Sequence, residues 1–129
     1  MSVAMCYLKL KLYDKALLAF EKAIENDIDN SEVYFYSAVC LLKGKKAFLA
    51  TRASIDKIEE YIQAANLLEE KGIYHYFWAY IKYDFFERKF LNTAPTWKEC
   101  LSSAERLRTS EYDKSKLFDL LGVQRPQGF

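Results

Sequence analysis

The sequence predicts an all-α fold of stacked antiparallel helix pairs, and three observations carry that prediction. Only four Gly and two Pro interrupt 129 residues, sparse for an all-β protein that must turn about every 8–12 residues. Apolar residues recur at three- and four-residue steps, the spacing of one helix face. Sliding the chain on itself by 34 residues places Ala4 on Ala38, Cys6 on Cys40, Leu8 on Leu42, Lys9 on Lys43, Lys11 on Lys45 and Ala16 on Ala50. Such an offset fits a helix-turn-helix unit repeated along the chain. At 51% hydrophobic and 29% charged residues, the composition suits one compact domain and is too apolar for disorder.

The first pair spans about 1–30. Its opening helix begins only a few residues before Ala4, which reads as a piece cut from a longer chain. Its second helix carries Tyr13, Ala16, Leu17, Phe20, Ala23 and Ile24 on one stripe, opposite Asp14, Lys15, Glu21, Lys22 and Glu25. The run NDIDNSE breaks the pattern, because Asn and Asp compete for helical hydrogen bonds, and Asn30 or Ser31 can cap the next helix.

The second pair spans about 31–71. Its first helix carries Tyr34, Ala38, Leu41 and Leu42 and stops at Gly44, a left-handed terminator. The stripe Ile55, Ile58, Ile62 and Ala65 marks the second helix, which leaves KKAFLATR as an addition in the turn and Gly72 as the terminator. The third pair, about 72–109, opens with the aromatic helix GIYHYFWAYIKYDFFERKF around the small Ala79. Pro95 breaks it within the turn NTAPT, and Thr96 with Glu99 forms a capping box for the last helix. Residues 110–122 read as a capping helix for the open end, with Leu117, Phe118, Leu120 and Leu121 inward and Gly122 as its stop. Residues 123–129 read as an extended tail with little reason to pack.

The residues Tyr7, Tyr13, Ala16, Phe20 and Ala23, followed by Tyr34, Ala38 and Leu41, resemble the signature of the tetratricopeptide repeat family. Ile28 stands where that family often has an inter-repeat proline, and Ala4 replaces its common glycine. The resemblance implies a right-handed superhelix of three pairs and a protein-binding role. It also implies a groove lined by the first helices of successive pairs: Met5, Leu8, Lys9, Phe35, Val39, Leu42, Lys43, Tyr76, Tyr80 and Tyr83. A branch of the family grips acidic C-terminal tails with a clamp of Lys, Asn and Arg. Here Ser2, Glu32 and Tyr36 stand at clamp positions, so Lys9 is left alone and weak or no binding to such tails is expected.

Other function classes find no support in the residues. A net charge of +1 without a polybasic block argues against nucleic-acid and membrane-surface partners. Three Cys at 6, 40 and 100 and one His, His75, give neither a disulfide framework nor a metal site, and the chain reads as cytoplasmic. Cys6 and Cys40, at equivalent repeat positions, read as small packing residues. No Gly-rich phosphate loop, nucleophile elbow or HExxH spacing is present, so neither catalysis nor a cofactor is expected. Glu59, Glu60, Glu69 and Glu70 read as a solvated helix face rather than paired catalytic acids.

The expectation is therefore a scaffold or adaptor module that binds a peptide or helix of a partner protein, with Phe35 and Tyr80 as hot spots. The alternative is a structural segment of a larger protein, self-associating as a homo-oligomer through an exposed apolar end.

Overall fold

The computed structural model describes residues 2–91 and 93–129, the side chain of Ser2 excepted; Asn92 of the NTAPT turn lies outside the described residues. Among them are seven α-helices and no strand. In chain order these are α1 (Ser2–Lys9), α2 (Tyr13–Asn26), α3 (Ser31–Leu41), α4 (Arg52–Leu68), α5 (Gly72–Ile81), α6 (Trp97–Arg106) and α7 (Glu111–Leu121). The pairs α1 with α2, α3 with α4 and α5 with α6 pack together, and α2 against α3 and α4 against α5 join each pair to the next.

Helix ends form for reasons visible in the residues. Asn30 Oδ1 accepts from the Glu32 amide at 3.1 Å and starts α3. Thr96 and Glu99 make the reciprocal capping box at α6, each side chain taking the other's amide at 3.2 Å. Ser110 caps α7, and Gly122, at φ 70°, ends it in the left-handed region. The turn after α3 places Lys43 and Gly44 at positive φ, and the added segment folds into a 3₁₀ turn, Ala47–Leu49.

The expected stripes face the core. Ala16 and Phe20, then Ile55, Ile58, Ile62 and Ala65, are fully enclosed. The helix α3 is buried on most of its circumference, with Val33, Phe35, Tyr36, Ala38, Val39 and Cys40 in the core, as befits the middle element of the stack.

Several expectations are corrected. Gly72 does not terminate α4, which ends at Leu68; it is the first residue of α5. A Cβ there would lie 2.1 Å from Thr109 Oγ1 and 3.2 Å from Leu107 Cβ, so a side chain would collide with the joint after α6. The aromatic helix does not run unbroken to residue 90, because a π-helical turn, Lys82–Glu87, follows α5. Cys6 is exposed rather than packed, whereas Cys40 and Cys100 are buried.

The last helix does not sit over an open end. It packs on α3 and α5, the first helices of the second and third pairs. Its far end reaches the first pair, where the Tyr13 hydroxyl donates to the Leu120 carbonyl at 2.8 Å. The tail packs as well: Phe129 is only 8% exposed.

Candidate interaction surface

The groove expected from sequence is built by α1, α3 and α5, and the structure fills most of it from within. Leu8, Phe35, Val39, Leu42, Tyr76 and Tyr80 are buried, Met5 and Tyr83 are half-buried, and only Lys9 and Lys43 are exposed. Lys43 pairs with Asp14 at 3.3 Å. On α3 and α5 the cover is α7 and the residues after it.

Tyr76 and Tyr80 lie on consecutive turns of α5, so both rings face α7. The Phe118 ring meets each edge-on, with centroids 6.1 and 5.3 Å away, a favoured arrangement of aromatic quadrupoles. Beyond α7 the chain turns back along α5. Phe129 enters a box made by Tyr76, Tyr83 and Trp97, at centroid distances of 5.7, 5.4 and 5.9 Å. The Tyr76 hydroxyl donates to the Phe129 carbonyl at 2.7 Å. Arg125 ties the return, donating to both oxygens of Glu111 at the start of α7 and to the same Phe129 carbonyl. Burial raises the Tyr76 pKa, so its hydroxyl stays a donor at neutral pH.

Tyr80 has a second duty. Its hydroxyl accepts from the Ala47 amide at 3.2 Å and faces Asp84 Oδ2 at 3.3 Å, while Asp84 accepts from the Phe48 amide at 2.9 Å and from Arg88 at 2.8 Å. The buried carboxylate therefore fastens the added turn of the second pair onto the third. A hot spot at Tyr80 would require breaking this network, so that expectation does not suit the closed molecule. Phe35 is likewise engaged, 4.8 Å from Tyr74 and 5.8 Å from Phe77.

A cleft of about 220 Å³ stays open where α3, α5 and α7 meet. Phe35 and Tyr74 line it, with Glu32, Lys71, Asp113 and Lys116 around it. Glu32 and Tyr36 of the clamp comparison both lie here; the Ser2 side chain is outside the described residues. Mixed charge gives this cleft no preference for an anion.

A second polar centre was not legible from sequence. Lys82, 4% exposed, bonds Glu59 at 2.8 Å and Thr93 at 3.1 Å, and its ammonium lies 4.4 Å from the Phe86 ring centroid. Trp78 Nε1 donates to the same Glu59 oxygen at 2.8 Å. Glu59 is therefore an enclosed partner and not part of a solvated face. His75 bonds Glu70 at 2.9 Å. Among the described residues no group of three or more His, Cys, Asp and Glu could hold a metal ion, and no helix is long and apolar enough to cross a membrane.

No family model, curated protein or solved structure matches the chain.

Proposed function

We propose that the chain is a protein-interaction module of tetratricopeptide type, a non-catalytic cytoplasmic scaffold or adaptor whose α3–α5 face receives a segment of a partner protein. One observation carries the reading: beside that face, along α5, a peptide-like segment is already held, with Phe129 seated between Tyr76 of α5, Tyr83 of the π-helical turn and Trp97 of α6. Three sequential helix pairs support the repeat architecture. The face is then a receptor occupied by its own chain, and a partner binds by exchange with residues 123–129.

A labelled peptide VQRPQGF, matching residues 123–129, tests this on the full chain and on Phe129→Ala. The variant should bind the peptide more tightly than the parent, with a change in Trp97 fluorescence. A folded variant that binds no more peptide than the parent overturns the assignment.

The alternative, self-association, is favoured by a different observation: Val3 and Leu18 of the first pair are largely exposed. Sedimentation should then show a concentration-dependent dimer that Leu18→Glu abolishes; a monomer at every concentration removes this reading.

A further inference from the structure

The turns inside the three pairs share a composition. The first reads Lys9, Leu10, Lys11, with Lys15 one turn on; the second reads Lys43, Gly44, Lys45, Lys46, ending in Leu49; the third reads Arg88, Lys89, Phe90. Each offers large apolar side chains to water beside its cations: Leu10 is 68% exposed, Leu49 66% and Phe90 92%, with Leu12 and Leu91 exposed to a lesser degree.

Packing brings the three together. Lys43 reaches Asp14 at 3.3 Å, and Gly44 lies against the Tyr13 ring, so the first two turns touch. Arg88 and Lys89 both sit over the Phe48 ring, at 4.3 and 4.4 Å, which joins the second turn to the third. The result is one continuous edge carrying eight cations. Its carboxylates are Asp14 and Asp84, which engage two of those eight cations, Lys43 and Arg88, and the exposed Glu87, so the edge keeps a surplus of positive charge.

The joints between pairs show the reverse. Glu25, Asp27, Asp29 and Glu32 follow one another with no cation between them, and Lys71 bridges Glu32 to Glu69, drawing the next joint alongside. Exposed apolar residues there, Ile28 and Leu67, have carboxylates nearby in sequence, and the cations of the second joint, Lys71 and Arg106, are paired with Glu69 and Glu70. A chain of near-zero net charge is thus strongly polarised across its width.

We propose that the edge formed by these three turns docks on an anionic lipid bilayer surface. Each Lys or Arg near such a surface is attracted to the headgroups, and the attraction adds along the edge. The apolar tips reach the acyl boundary while the flanking ammonium groups stay at headgroup level, the division of labour that interfacial anchors use. An apolar tip in each of three protruding turns suits a yielding apolar layer better than a phosphate backbone, which would be met by cations alone. This surface meets the α3–α5 face at Lys46 and Arg88, which line one cleft with Tyr80, Tyr83 and residues 124–127. Vesicle binding and peptide exchange are separate readouts, so the two assignments fail independently.

Co-sedimentation of the full chain with vesicles tests it. The parent should bind vesicles of phosphatidylcholine and phosphatidylserine in equal parts, bind pure phosphatidylcholine far less, and release at high salt. Lys11→Glu with Lys45→Glu and Lys46→Glu should lower the partition about a hundredfold, and Phe90→Ser with Leu10→Ser about tenfold. Lys22→Glu, a charge change of the same kind away from the edge, should leave binding near the parent value. All these positions are exposed, and circular dichroism checks that each variant folds. Absent or equal binding to the two vesicle types overturns the proposal. So does tight binding of a DNA oligonucleotide that the charge reversals abolish and the Phe90 and Leu10 changes spare.

Discussion

Tyr76 and Phe129, 53 residues apart in sequence, share a hydrogen bond of 2.7 Å and a ring contact of 5.7 Å. Through them the end of the chain becomes part of the core. Phe129→Ala should cost about 2–3 kcal/mol, since three aromatic partners lose their filling. Tyr76→Phe should cost about 1 kcal/mol, because only the hydroxyl goes and Arg125 still serves the carbonyl. Urea midpoints measure both, and equal losses for the two variants would contradict the packing.

Lys82 and Glu59 form an enclosed ion pair, so removing one partner is predicted to hurt more than removing both charges. Lys82→Met strands the Glu59 carboxylate and should destabilise by about 3–5 kcal/mol. Adding Glu59→Gln, which still accepts from Trp78, should recover much of that loss. A double-mutant cycle in denaturant gives the coupling, and strict additivity would argue against the pair.

Asp84 holds the added turn through the Phe48 amide and the Tyr80 hydroxyl. Asp84→Ala leaves both without their acceptor and frees Arg88, at an expected cost of about 2–4 kcal/mol. Hydrogen exchange adds a local signature: the Phe48 and Ala47 amides should lose protection before those of α4 do.

How much of this was legible in sequence depends on how local each signal is. The stripe Ile55, Ile58, Ile62 and Ala65 and the capping box at Thr96 rest on contacts within a few turns of helix, and both are found where the spacing puts them. Gly72 misled because a glycine between helices reads as a stop; its true constraint, Thr109, comes from a joint 37 residues later. The tail has only Val123 and Phe129 as apolar anchors and no periodicity, so nothing local announces its box. The cationic edge hides in the sum, since its lysines come from turns tens of residues apart and the acidic joints cancel them.

Stability should fall at alkaline pH. Burial pushes the Cys40 and Cys100 thiols from 9.0 up to about 12, and Tyr36 and Tyr74 from 10.0 up to about 12. Above the unfolded values the unfolded chain loses these protons while the folded one keeps them, so stability declines from about pH 9 toward 12. Denaturation midpoints across that range should drop steadily. A thiol reagent at neutral pH should modify Cys6 rapidly and the other two only on unfolding; three fast thiols would contradict their burial.

The bond from the Tyr13 hydroxyl to the Leu120 carbonyl joins the first pair to the last helix. In an open solenoid each unit leans only on its neighbours, so the array can fray from its tips and be lengthened by adding units. Here the last helix straps the second and third pairs and is latched to the first. The strap couples α2, α3, α5 and α7 beyond nearest neighbours, so these elements should open together, whereas α1, which packs mainly on α2, is the element that frays first.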